Sequence, residues 1–292
     1  MANPLLNDDA FDKASKAGWA APEPSTRAAR STPLGSTSGS PFGTSYGSAT
    51  DAGYRTPVDD GPISTWHRQV MTTSGTATAT GVLFVLLIAS AAVGWMSLDE
   101  TTGQFPPLAL VGVLVGFACI LGLMFRPMLA RILAPIYALA EGFFVGVISK
   151  AYNDYQHGIV VQAIGATVAT FLVMLVLYRT QIIKVTDRFR RIVIGATLGV
   201  MLLYLVSFVI RLVAGSSAVG FLNSPSAFGI LFSVFVCGLA AMNLALDFDF
   251  IERGAKAGLP KGMEWYAAFG LLVTVVWLYL EILRLLSKLN RR

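Results

Sequence analysis

Seven runs of about twenty apolar residues follow one another between Thr76 and Leu289, joined by short polar segments. At 1.5 Å per residue, such a run crosses a hydrocarbon layer of roughly 30 Å as a helix. Inside that layer backbone donors and acceptors must be satisfied by the chain itself, so only helices or a closed barrel can span it. Barrel strands need about half this length and alternate apolar with polar residues. These runs do neither. Charged residues are 13% of the chain, against about 25% in soluble domains. The fold class expected is all-α: a polytopic membrane protein, a seven-transmembrane-helix bundle. Its spans are predicted near 76–97, 107–125, 130–149, 158–178, 191–213, 226–250 and 264–287.

Residues 1–65 read differently. They are rich in Ser, Thr, Gly, Ala and Pro, and Ser31–Ser48 is almost wholly small or polar. So little apolar surface does not offset the entropy of ordering, and a disordered cytoplasmic tail is expected. Within it, Phe11–Ala21 with Trp19 is either a transient helix or docking motif, or a few stray apolar residues. Met1–Asp12 has neither the basic start nor the apolar core of a signal peptide.

The tail carries a net −2 and the remainder +7. The excess lies beside the spans. Arg126 and Arg131 lie between spans two and three. Arg179, Lys184, Arg188, Arg190 and Arg191 lie between four and five, and Arg253, Lys256 and Lys261 between six and seven. The opposite loops hold Lys150 alone. This asymmetry places the N-terminus and the basic loops in the cytoplasm of a cell-membrane protein. It also argues against nucleic acid as the reason for the high isoelectric point. Arg284, Lys288, Arg291 and Arg292 run against the rule: either it fails there, or span seven enters without crossing. Arg211, near the outer end of span five, is expected to snorkel.

The spans carry no enzyme signature. His67 and His157 lie outside them, and they hold neither a Gly-x-Gly-Asp motif nor a Gly-x-Ser-x-Gly elbow. Cys119 and Cys237 sit in apolar runs and read as small buried hydrophobes, without disulfide or zinc spacing. Gly142 with Gly146, and Gly195 with Gly199, form small-xxx-small stripes that let helices approach closely.

A charge at the bilayer centre costs about 2.5–3.5 kcal/mol on insertion scales, so acids within spans mark candidate sites. Glu141 lies near the middle of span three, as an ion or proton ligand or as a hydrogen-bonded group that fixes packing. Asp247 closes span six and shares a face with Asn243 one turn earlier; it faces either the bundle interior or water at a helix end. Asp249 points the other way and can pair with Arg253 at i,i+4. Glu281 in span seven is either functional or held in a local ion pair with Arg284.

The runs Tyr137–Gly146 (Tyr-Ala-Leu-Ala-Glu-Gly-Phe-Phe-Val-Gly), Leu246–Glu252 (Leu-Asp-Phe-Asp-Phe-Ile-Glu) and Leu278–Leu286 (Leu-Tyr-Leu-Glu-Ile-Leu-Arg-Leu-Leu) resemble the Bax inhibitor-1/YccA family of membrane proteins. The last is similar to that family's final-helix motif, Leu-Tyr-Leu-Asp-Phe-Ile-Asn-Leu-Phe. The resemblance covers residues 65–292, and the tail looks like an extension found in actinobacterial members. It implies a seven-helix bundle with a central last helix. It also implies a pH-sensitive calcium leak pathway, whose sensor is an acid pair between helices six and seven. Those positions fall on Asp247 and Glu281. The second acid is Glu here, and the stretch between the two is longer.

On that basis Asp247 and Glu281 are expected to share a proton and clamp two helices. With Glu141, Asn243, carbonyls and water they would offer calcium a weak, transient site, and no other cofactor is expected. The partners expected are the lipid bilayer and calcium or protons. The alternative that the resemblance implies is a non-conducting regulator that binds membrane proteases or stress-response proteins.

Overall fold

The computed structural model describes residues 70–98, 107–214 and 226–291. The expected tail lies outside the described residues, as does the Arg211 side chain. Seven long helices run through the described part: α1 Thr73–Ser97, α2 Pro107–Phe125, α3 Ala130–Tyr155, α4 Ile159–Arg179, α5 Asp187–Ala214, α6 Ala227–Lys256 and α7 Met263–Leu289. A 3-10 turn, Pro127–Leu129, precedes α3. Six of the seven are long and apolar enough to cross a membrane, and the described apolar part of α2, Val111–Phe125, is shorter.

The helices match the seven predicted runs. The main differences are at the C-terminal ends of α3, which continues to Tyr155, and of α6, which continues to Lys256. The last turns of α6 are held by i,i+4 ion pairs, Asp249–Arg253 at 2.9 Å and Glu252–Lys256 at 2.6 Å. Apolar run length marks where a helix leaves lipid, not where its backbone stops. Asp247 therefore lies inside α6 rather than at its end, and the exposed-end reading is corrected.

Neighbouring helices are antiparallel. Met71 N donates to Leu259 O at 2.6 Å, which joins the start of α1 to the α6–α7 turn. Arg190 at the start of α5 binds Asp249 near the end of α6 at 3.0 Å. The basic loops thus share one face. On the other face Lys150 of α3 lies 5.9 Å from the Trp95 ring of α1, and Arg291 lies 4.7 Å from the Tyr155 ring at the end of α3. The last helix therefore runs the full depth of the bundle. Two of its basic residues are held within the bundle, Arg284 by Glu281 and Tyr204 and Lys288 by Ser233. That accounts for their departure from the charge rule, which describes loop charges.

α7 is the central helix. It packs on α1, α3, α4 and α6 and is buried on nearly every side. α1 and α3 make the closest approach. A Cβ on Gly142 would lie 3.0 Å from Leu87 Cα, and one on Gly146 2.8 Å from Ala91 Cα. The second stripe behaves otherwise, for Gly195 and Gly199 have no heavy atom near the Cβ position among the described residues. α5 is peripheral. It leans on α6 through a small separate core that includes Val193, Val200, Val236 and Leu239.

Candidate functional site

Two helices carry polar residues seven apart, which returns nearly to the same helix face after two turns. On α5 these are Arg190, Thr197 and Tyr204; on α7 they are Thr274, Glu281 and Lys288. α6 runs between them. Its register against α7 is set at both ends: the Asp247 carboxyl lies against the Thr274 hydroxyl, and Lys288 Nζ donates to Ser233 Oγ at 2.7 Å and Gly229 O at 3.0 Å. Halfway between, the residue opposite Glu281 is Ala240.

The seam has three levels. At the first, Asn243 and Asp247 are each 1% exposed. Thr197 donates to Val193 O at 2.8 Å and accepts from Asn243 Nδ2 at 3.0 Å. Asn243 Nδ2 also donates to Leu239 O at 2.9 Å, which fixes the amide orientation, because a flipped amide would set oxygen against a carbonyl. At the second level, Glu281 Oε2 accepts from Tyr204 OH at 3.1 Å and Arg284 Nη1 at 3.2 Å, and Arg284 also reaches Tyr204 OH at 2.9 Å. At the third, buried Lys288 is held by Ser233 and Gly229. Asp249, which faces away, is gripped by Arg190 and Arg253 and ties α5 to α6.

Three buried oxygens along this seam have no hydrogen-bond partner among the described residues: Asn243 Oδ1, Asp247 Oδ2 and Glu281 Oε1. Buried polar atoms are rarely left so, and each is an acceptor open to a cation, a proton or water.

The expected acid pair does not form. Asp247 and Glu281 each keep an orphan oxygen, and Glu281 lies seven residues, or about 10 Å, along α7 from the level of Asp247. The expected convergence of acids is corrected too. Glu141 is half-buried on α3 and faces α2, where its Oε2 would lie 3.3 Å from a Cβ on Gly116. No cluster of three or more His, Cys, Asp or Glu that could hold a metal occurs among the described residues. The local Glu281–Arg284 pair does form. The reading of single acids missed Thr197, Tyr204, Thr274 and Lys288; their seven-residue spacing was the available signal.

The basic face of the seam is strapped. Thr72, which caps α1, donates from N and Oγ1 to Glu264 Oε1 at 3.0 and 2.9 Å. Buried Met71 packs at Gly254, and Val70 bridges to Pro260. A carboxylate at the α1 N-terminus also complements the helix dipole.

The family model described as Bax inhibitor 1 like matches residues 3–291. The match covers the N-terminal tail as well as the seven helices. A comparison with curated proteins finds no match. With the helical membrane fold and its central last helix, that match assigns the chain: it belongs to the Bax inhibitor 1 like family.

Proposed function

We propose that this protein is a pH-sensitive cation leak pathway, with calcium as its principal ion, running along the α5–α6–α7 seam. The basic face lies in the cytoplasm, and the membrane is the plasma membrane. The observation that supports this reading is the row of three unpartnered buried oxygens, two of them carboxylate oxygens. Such groups are costly in a membrane interior unless an ion or proton uses them.

In the closed arrangement Arg284 occupies one side of Glu281, and Lys288 places a positive charge at the end of the seam away from the basic loops. A cation entering from the basic face meets Asp247 and Asn243 first. Passage requires α5 to move off α6 and Arg284, with 36% of its side chain exposed, to swing from Glu281. α5 suits this movement, since among the described residues it is held by one small apolar cluster and a few polar ties. Protonation of Asp247 removes the charge that draws a cation, so flux falls as pH falls. The acids act one after another, at separate depths, rather than as a clamp. Weak sites in series suit conduction, which needs entry and release.

Purified protein in proteoliposomes with an enclosed calcium dye tests this. Wild type should leak calcium faster at higher pH, and Asp247→Asn should reduce the leak and flatten its pH profile. An unchanged leak and profile in both Asp247→Asn and Glu281→Gln would remove the proposal. The second reading, a non-conducting regulator, is favoured by one observation: the Gly195/Gly199 face of α5 is open and could seat a partner's helix. Stable co-purification with a membrane protein, without flux, would support it.

A further inference from the structure

A crevice of about 440 Å³ opens on the side of the bundle away from α5, between α1, α3, α4 and α7. Its floor includes buried Leu87, Val145 and Val276. Its rim carries Ile88, Ile164 and Val168, all exposed on helices that span the membrane. The crevice therefore opens into lipid rather than water.

Its chemistry is almost wholly hydrocarbon. Of the three hydroxyls in its lining, Thr167 donates to Ala163 O at 2.7 Å and the other two bond each other. Ser149 donates to Val145 O at 2.6 Å, so the 2.7 Å contact between Ser149 and Tyr279 is a bond donated by Tyr279. Each of these hydroxyl protons is thus spent within the bundle.

Its length is that of one leaflet. Along α1 the lining runs from Phe84 to Trp95, eleven residues or roughly 16 Å. Half of a hydrocarbon core of about 30 Å is nearly the same. The Trp95 end lies toward the face opposite the basic loops, at the depth where Trp side chains settle in the interface.

That end carries both signs of charge. Lys150 Nζ lies 2.9 Å from Asp154 Oδ1 and 5.9 Å from the Trp95 ring centre. A cation and an anion side by side complement a headgroup that bears a phosphate and an ammonium. A purely anionic headgroup would meet Asp154 as a repulsive neighbour.

We propose that this crevice is a binding site for one phospholipid of the leaflet opposite the basic face. One acyl chain lies against α7, and a zwitterionic headgroup of the phosphatidylethanolamine kind sits at Lys150 and Asp154. A chain seated there touches four helices, whereas ordinary surrounding lipid touches the outer flank of one or two. The site is separate from the polar seam and does not depend on conduction.

Full-length protein in bilayers of phosphatidylethanolamine and phosphatidylglycerol tests it. The probe is phosphatidylethanolamine with a diazirine midway along one chain, and crosslinks are mapped by mass spectrometry. Label should concentrate several-fold on Leu87, Val145 and Val276 over the outward Val85 and Phe208. Val168→Trp or Ile164→Trp fills the crevice from an exposed rim position that tolerates bulk. Either should lower floor labelling several-fold and leave Val85 and Phe208 unchanged. Lys150→Gln with Asp154→Asn should lower floor labelling by this probe. Equal labelling of floor and outward residues, or no effect of either Trp variant, would overturn the site. Equal floor labelling by a phosphatidylglycerol probe would overturn the headgroup assignment.

Discussion

Gly146→Ala and Gly195→Ala should move stability in opposite directions, although the two glycines belong to matching small-xxx-small stripes. On α3, a Cβ at Gly146 would overlap the Ala91 carbonyl oxygen and lie 2.8 Å from Ala91 Cα. Both neighbours are backbone, so no side chain can rotate away. α1 must retreat by roughly an ångström to restore ordinary contact in a close-packed interior. Overpacking of this kind costs about 1–3 kcal/mol. On α5, a Cβ at Gly195 meets nothing within 4 Å among the described residues. There the change to Ala removes only the helix penalty of glycine, a gain of up to about 1 kcal/mol. The two variants should thus differ by about 1–4 kcal/mol. Reversible unfolding in mixed micelles of mild detergent and SDS, followed by Trp fluorescence, measures this. Wild type should lie between them. Equal shifts, or a neutral Gly146→Ala, would refute the account of the α1–α3 contact.

The α6–α7 register is tested with Cys119 and Cys237 replaced by Ala. Ala240→Cys with Glu281→Cys should crosslink under mild oxidation, whereas Asp247→Cys with Glu281→Cys should not, since a disulfide needs Cα atoms within about 7 Å. Glu264→Ala removes two hydrogen bonds from Thr72 to a nearly buried carboxylate and should cost about 2–3 kcal/mol; protease cleavage near Met71 should rise with it. Arg284→Met leaves Glu281, at 2% exposure, without its cation. Because the Arg284 side chain is partly exposed, the loss should be about 1–3 kcal/mol, and adding Glu281→Gln should restore most of it in the same unfolding assay.

The number, order and approximate ends of the helices were legible in the chain, because crossing a membrane is a one-dimensional requirement on the length of an apolar run. Their common basic face followed from Lys and Arg placement in short loops. Asp249–Arg253 and Glu281–Arg284 were also legible, since i,i+3 and i,i+4 neighbours meet on any helix. The partner of Asp247 was not. Helices that are apolar on nearly all sides carry no stripe to tell lipid from protein, so which acid faces which helix depends on how α6 and α7 slide past each other. That slide is set at once by Lys288 on Ser233 and by the packing of α7 against four helices. The same holds for the glycines: local sequence allows close approach at both stripes, and only the assembled bundle brings α1 to one and leaves the other open. Run length and loop charge are properties of the chain, whereas register and facing are properties of the whole packed interior.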